Sequence, residues 1–386
     1  IIGHSERLDA VAPNPVKPDQ FATACYSGRW FVWDARQRQM TLTREIENEQ
    51  ATCIAYAPTG DEIAIGLASG GWKVYNTTHL TYAKQSTPGR PSNRNSATGL
   101  PILEEQGIAC LKYCPNGLTL ALGSYDQLIY LYDVKPELAS NEENVSSAQR
   151  YRRIGKCVGH SASVIRLDWD RSGKLLQSNS TANEHLYWWG RSGTEQELRD
   201  LGLWAEGRKH PPKPGDQLTE PQREYSQWHT WSSILGFPVM GVIPKGMALE
   251  KMNVVAVSNG TGGPKEPDHP GRRGQVILGS TDFGDVLAFN YPAVIDGAPF
   301  HRYDGHSSFV KNVCWLADDA RVVSVGGADR AMLQWAVRWE AAGKGFGYKA
   351  PALGTNARAV PPPQGAGPAK LGKDGERTPA ATGGAQ

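Results

Sequence analysis

The feature that most constrains what this chain can fold into is one segment written six times. Each copy has an apolar strand, small residues, a polar tight turn and a second strand ending in an aromatic. The copies read FATACYSGRWFVWD (21–34), EIAIGLASGGWKVYN (62–76), TLALGSYDQLIYLYD (119–133), KLLQSNSTANEHLYWWG (174–190), QVILGSTDFGDVLAFNYP (275–292) and RVVSVGGADRAMLQWAV (321–337). Gly-His pairs at Gly3-His4, Gly159-His160 and Gly305-His306 precede the first, fourth and sixth copies. A two-strand unit of this size cannot bury an apolar face alone, so repetition implies units stacked into one body.

The terminal aromatics are Trp33, Tyr75, Tyr132, Trp188, Phe289 and Trp335, at spacings of 42, 57, 56, 101 and 46 residues. A WD40 blade takes about 40–45 residues, so two spacings fit directly and the others need insertions. Polar, Pro/Gly-rich stretches at 84–104, 191–227 and 259–274 supply them, and loops lengthen at small entropic cost. In Leu128–Tyr132 every residue is apolar or aromatic, as expected for a strand covered on both faces by radially stacked sheets. The best helix candidate, near Thr194–Leu203, is short and lies in an insertion. With 43 Gly and 26 Pro, a long-helix protein is excluded. The expected fold class is all-β: a WD40-type β-propeller with six recognisable blades, irregular insertions and an extended C-terminal tail. The propeller is expected over 1–339 and the tail over 340–386. A seventh blade would need sequence upstream or would lie in the 101-residue gap. Only Ile1-Ile2 precede the first Gly-His, so upstream residues or the tail are expected to supply the outer strand that closes the ring. The start at Ile1 rather than methionine suggests a piece of a longer protein.

The sixth repeat holds a full polar set: His306 before the first strand, Ser324 on the second, Asp329 in the turn and Trp335 on the third. A histidine bonded to both a carboxylate and a hydroxyl can be buried without an unpaired donor. The hydroxyl can then take the indole N–H, which gives a structural network. Read as Ser-His-Asp catalysis, the same residues would put the nucleophile in mid-strand, so the structural reading is preferred. The other repeats are degenerate. His160 is present but Ala182 takes the place of the turn acid, Ser27 stands there in the first repeat, and Asp126 in the third lacks a Gly-His partner. Those blades are expected to rest on apolar packing more than on the polar network.

The formal net charge is +2, without the excess expected of a nucleic-acid binder, and no apolar run is long enough to span a bilayer. The six cysteines form no C-x-x-C and no zinc-finger spacing; free buried thiols are expected. Asp282-Phe283-Gly284 matches the kinase tripeptide, but no Gly-rich loop, strand lysine or H-R-D segment accompanies it. Asn76-Thr77-Thr78 and Asn179-Ser180-Thr181 match the glycosylation sequon by chance on this reading. No catalytic, metal or cofactor site is expected, and neither nucleic acid nor membrane is an expected partner.

The tail carries Lys344, Lys349, Arg358, Lys370, Lys373 and Arg377 against Asp374 and Glu376, hence +4 over 341–386 and −2 over the rest. Such a Gly/Ala/Pro-rich segment cannot bury enough apolar surface to fold alone. Its charge suits anchoring on an acidic partner, with Phe346 and Tyr348 in Gly345–Leu353 as the part expected to order.

WSSILGFPVMGVIP (231–244), GSTDFGDVLAFNYP (279–292), YDGHSSFVKNV (303–313) and VSVGGADRAMLQWAV (323–337) follow one another in an order that resembles the C-terminal half of the echinoderm microtubule-associated protein-like (EML) family. Upstream, AIGLASGGWKVYN, LALGSYDQLIYLYDV and GHSASVIRLDWDRSGKLLQSNS resemble the preceding family repeats, so the likeness runs from about Gly3 to Val337. The insertions at 84–104 and 191–227 and the tail depart from it. The resemblance implies the second of two tandem propellers in a non-enzymatic scaffold that binds tubulin or microtubules. It implies a cytoplasmic, cytoskeletal setting, with the ciliary axoneme and its microtubule-associated proteins as one instance. The alternative is a general WD40 protein-interaction adaptor in a non-tubulin complex, because the fold itself is function-neutral.

Overall fold

In the computed structural model each of the six repeats is an antiparallel hairpin within its own sheet. The described residues are 4, 6–77, 107–135, 150–204, 209–218, 227–261 and 275–339, with the backbone of 265–266, 269–273, 352–353 and 358–359. The first blade is β1 (Leu8–Pro13), β2 (Gln20–Cys25), β3 (Arg29–Asp34) and β4 (Gln39–Glu45), in that order. The second is β5 (Ala51–Tyr56), β6 (Glu62–Leu67) and β7 (Trp72–Asn76); the third is β8 (Ile108–Tyr113), β9 (Thr119–Ser124), β10 (Ile129–Val134) and β11 (Tyr151–Cys157). The fourth is β12 (Val164–Trp169), β13 (Leu175–Ser180) and β14 (His185–Trp189), followed by helix α1 (Glu195–Asp200). The fifth begins with β15 (Met252–Val257), breaks for the small hairpin β16 (Lys265–Glu266) and β17 (His269–Arg273), and continues through β18 (Val276–Thr281), β19 (Asp285–Asn290) and β20 (Phe300–Asp304). The sixth is β21 (Val310–Trp315), β22 (Arg321–Gly326) and β23 (Met332–Arg338).

Two short tail strands extend this set. β24 (Ala352–Leu353) pairs with β23, with Leu353 opposite Val337, and becomes the outermost strand of the sixth sheet. β25 (Arg358–Ala359) pairs with β20, with Arg358 opposite Arg302. The tail therefore supplies the fourth strand of the last blade, while the first blade is complete with its own four strands.

The innermost strands pack in succession: β1 on β5, β5 on β8, β8 on β12, β15 on β21, and β21 back on β1. Between β12 and β15 the Arg166 guanidinium donates to the Asn253 carbonyl at 2.9 Å. Apolar residues fill each gap between blades. Trp30 and Tyr75 meet at 5.0 Å between the first and second, and Trp72 sits 5.3 Å from Tyr132 between the second and third. Leu8, Phe31, Cys314 and Val325 close the ring between the sixth and first. Burial of both faces explains why Leu128–Tyr132 reads as an unbroken apolar run.

The 101-residue gap holds no four-stranded sheet among its described residues. Residues 228–251, loop and two short 3-10 turns, wedge between the fourth and fifth blades. Trp228 lies tilted against Tyr187 at 5.8 Å, and Trp231, Val239 and Val242 pack on Ile277 and Phe289 of the fifth. α1 is where the sequence placed a helix; Thr194 caps it by accepting from the Glu197 N–H, and Leu198 is its buried residue.

Candidate functional site

The six sheets present two faces, and repeated hydrogen bonds identify one of them. In every blade the residue starting the central turn donates its N–H to the carbonyl two residues ahead of a β-bulge on the innermost strand. The pairs are Tyr26 to Arg7, Ala68 to Gln50, Tyr125 to Gly107, Thr181 to Ser163, Asp282 to Lys251 and Gly327 to Phe309. The bulges fall at Asp9, Thr52, Ala109, Ile165, Asn253 and Lys311, one per blade at the same depth. A bulge kinks and twists its strand, and six at one level shape one mouth of the axial channel. Each central turn returns through a left-handed residue: Gly28, Gly70, Gln127, Asn183, Gly284 and Arg330 all have φ between 56° and 86°.

Blade networks pin this face. In the sixth blade His306 Nδ1 lies 2.9 Å from Asp329 Oδ2, its Nε2 2.8 Å from Ser324 Oγ, and Trp335 Nε1 donates to the same hydroxyl at 2.9 Å. Ser324 is fully buried with its oxygen so engaged, which leaves no exposed nucleophile there.

The fourth blade corrects the sequence reading. Ala182 is not the acid's position; Glu184, two residues later, takes its part. His160 sits 3.0 Å from Glu184 Oε2 and 2.6 Å from Ser178 Oγ, and Trp188 Nε1 donates to Ser178 at 2.7 Å. Glu184 also accepts from Ser161 N, Ser161 Oγ and Ser180 Oγ. The hydrogen bonds from Ser161, Ser180 and His160 hold its carboxyl down at about 2, while burial lowers His160 against the pull of Glu184. This blade has the complete network that apolar packing was expected to replace. In the first blade His4 reaches Thr23 at 3.0 Å, and Trp33 donates to Thr23 at 2.8 Å. Ser27 contacts Cys25 instead of His4, and burial lowers His4 to about 4. In the third, Asp126 takes the Tyr130 hydroxyl at 2.5 Å and the Leu128 N–H.

Around the channel mouth the turns expose Tyr26, Tyr125 and, at 64%, Phe283. Phe283 and Gly284 belong to the kinase-like tripeptide; here Asp282 accepts from Asn253 at 3.0 Å and pairs with Lys251 at 3.4 Å, so the three residues form a blade turn. Arg7 lies over the Tyr26 ring at 5.0 Å and 2.9 Å from Asp9. Deeper, Lys112 bonds Asp168 at 2.7 Å. Burial alone would raise Asp168, but Lys112 and hydrogen bonds from Ser232 and Thr230 outweigh it and hold the carboxyl low. Arg166 and Lys311 complete the set on the inner strands. Sequence reasoning missed these groups; the available signal was a cation next to the apolar start of an inner strand, as in VIRLDW and VKNVCW.

A second exposed patch lies on the wedge. Phe237, Met240 and Ile295 are 72%, 63% and 73% exposed, and reciprocal backbone bonds between Gly241 and Ala293 and between Ala293 and Pro238 hold the two loops together. All six cysteines are free; burial pushes Cys53 and Cys314 up to about 12, so these thiols are poor nucleophiles. Asn179 of the second sequon is fully buried. Among the described residues no three His, Cys, Asp or Glu side chains gather as metal ligands, and no helix is long and apolar enough to cross a membrane. Of the basic tail set only the backbone of Arg358, on β25, is described. Lys344, Phe346, Tyr348, Lys349, Lys370, Lys373 and Arg377 lie outside the described residues.

Six bulged sheets around one axis, with polar networks locking one face, define a WD40-type β-propeller. A family model described as the echinoderm microtubule-associated protein second beta-propeller matches residues 8–203 and 210–337. The chain belongs to that family. It is 29% identical over 337 residues to echinoderm microtubule-associated protein-like 1 of Mus musculus, covering 87% of this chain and 34% of the relative. It is 29% identical over 336 residues to echinoderm microtubule-associated protein-like 2 of Mus musculus, covering 87% and 42%. To echinoderm microtubule-associated protein-like 4 of Xenopus laevis it is 28% identical over 338 residues, covering 86% and 29%. The chain thus spans well under half the length of each of these relatives.

Proposed function

We propose that this chain is a non-enzymatic scaffold module that associates with microtubules by binding tubulin. The observation that carries this reading is the match to the second-propeller family over nearly the whole described ring, among relatives that bear the name microtubule-associated. A rigid disc with exposed aromatics on its turns suits docking better than turnover. The +4 tail would add attraction to an acidic lattice through Lys344, Lys349, Arg358, Lys370, Lys373 and Arg377, with Phe346 and Tyr348 as apolar anchors; salt would weaken it. The setting that follows is the microtubule cytoskeleton of the cytoplasm, with the ciliary axoneme and its associated proteins as a specialised case.

Co-sedimentation of the chain with polymerised tubulin tests the reading. It pellets with microtubules at low salt and is released as salt rises. A chain that stays in the supernatant at low salt contradicts the reading, and capture of a different protein as the dominant partner would favour the adaptor alternative.

A further inference from the structure

The inner strands carry more cations than carboxylates, and the surplus is localised. Three carboxylates face this region and each has its own cation: Asp9 has Arg7 at 2.9 Å, Asp168 has Lys112 at 2.7 Å and Asp282 has Lys251 at 3.4 Å, although the buried Oδ1 of Asp9 makes no hydrogen bond. Arg166 and Lys311 are left over. Their strands flank β15, and Asn253 links them: its carbonyl accepts from Arg166 Nη2 at 2.9 Å, and its side-chain amide donates to the Val310 carbonyl, next to Lys311, at 3.0 Å. The other terminal nitrogen of Arg166 donates to Ile165 at 3.0 Å, and its buried Nε has no hydrogen-bond partner. The Lys311 ammonium makes no hydrogen bond or ion pair among the described residues, although the residue is half-buried. Burial, and then the charges of Arg166 and Arg7, lower the Lys311 pKa against the opposing pull of Asp9 and Asp282.

A cation held in a half-dry channel beside a second cation costs free energy in the unliganded disc, and an arriving anion removes that cost. The surroundings favour a particular anion. Each terminal nitrogen of Arg166 gives one hydrogen to a carbonyl, which leaves three of its five N–H donors, Nε among them, for an anion held beside the Lys311 ammonium. A single carboxylate needs only the Lys311 ammonium and the positive field of Arg166. The rim above, with Tyr26, Tyr125 and Phe283 exposed, offers apolar contact to an extended chain on either side.

We propose that the bulge-lined mouth of the axial channel is a carboxylate site, in which Lys311, supported by Arg166, receives an aspartate or glutamate side chain of an acidic peptide lying across the Tyr26, Tyr125 and Phe283 turns. This site does not rest on the microtubule reading: a chain that binds acidic peptide and ignores microtubules would leave it standing.

The test is fluorescence anisotropy of a labelled Glu/Gly peptide titrated with the whole chain at physiological salt. Lys311→Met weakens binding about tenfold, the loss of one charge-assisted contact. Lys311→Arg retains most of the affinity, and Lys17→Met, an exposed lysine on the opposite face, leaves it unchanged. A Gln/Gly peptide binds weakly. Tryptophan fluorescence checks that each variant is folded; should Lys311→Met misfold, Lys311→Gln takes its place. The proposal is overturned if the wild-type chain ignores the acidic peptide. It is equally overturned if the folded Lys311 variant binds as tightly as wild type, which would place the affinity elsewhere, such as the tail.

Discussion

Replacing Glu184 with glutamine isolates the polar network of the fourth blade. The shape is kept while the charge is lost. One oxygen remains an acceptor, and the new NH2 points into Ser161 N, Ser180 Oγ and His160 Nδ1, three groups that now converge on Glu184 Oε2 at 2.8–3.0 Å. Two charge-assisted bonds lost at roughly 1.5 kcal/mol each would give about 3 kcal/mol. The Glu184 side chain is 28% exposed, so water recovers part of this, and about 1–2 kcal/mol is the expected cost. The readout is urea unfolding followed by tryptophan fluorescence, with Trp188 hydrogen-bonded inside the network. The matching change in the sixth blade, Asp329→Asn, costs more, because that carboxylate is only 5% exposed. Ala182→Asp, at an exposed turn position, gains nothing. The Glu184 effect also has a pH window. Its carboxyl ionises near 2 when folded and near 4.5 otherwise, so its contribution is complete above 4.5 and fades as pH falls toward 2. Wild type and Glu184→Gln therefore converge in acid. A Glu184→Gln chain within about 0.3 kcal/mol of wild type at pH 7, or an Ala182→Asp chain clearly stabilised, would refute this account of the blade.

Three further outcomes are expected. Glu62→Ala strands the Arg150 guanidinium, which bonds Glu62 through both terminal nitrogens with side chains only 13% and 7% exposed; a loss of about 3–5 kcal/mol in urea unfolding is expected. Asp285 faces Asp304 across β19 and β20, and burial plus that neighbour push its carboxyl up to about 6; its contribution is thus full below 3.8 and lost as pH rises through about 6. Asp304→Asn should flatten this decline in melting curves between pH 4 and 7. Gly241→Ala places a Cβ 2.1 Å from the Ile295 carbonyl oxygen, so it should cost roughly 1–3 kcal/mol by forcing apart the loops that carry Phe237 and Ile295.

The hairpins were legible because each combines an aromatic-ended strand with a turn that must pass through a left-handed residue. That need leaves Gly28, Gly70 and Gly284 visible, and it is met less visibly by Gln127, Asn183 and Arg330. The innermost strands were harder to read: MNVVAV and VIRLDW share no side-chain signature, and what they have in common is a backbone bulge, which leaves no mark on composition. Glu184 was missed because its longer side chain reaches His160 from two residues beyond the expected turn position. The wedge at 228–251 is loop packed on loop, stabilised by Trp228 and Trp231 against neighbouring blades, so no periodicity announces it. Arg166 and Lys311 come together only through ring assembly, since they lie 145 positions apart in the chain.

The most direct test of the central claim is a density map of microtubules decorated with this chain. The account predicts a six-bladed disc seated at a regular position on the tubulin lattice, with ordered contacts from the propeller or its basic tail. Microtubules that remain bare at saturating chain, or density at the lattice lacking a propeller, would contradict it.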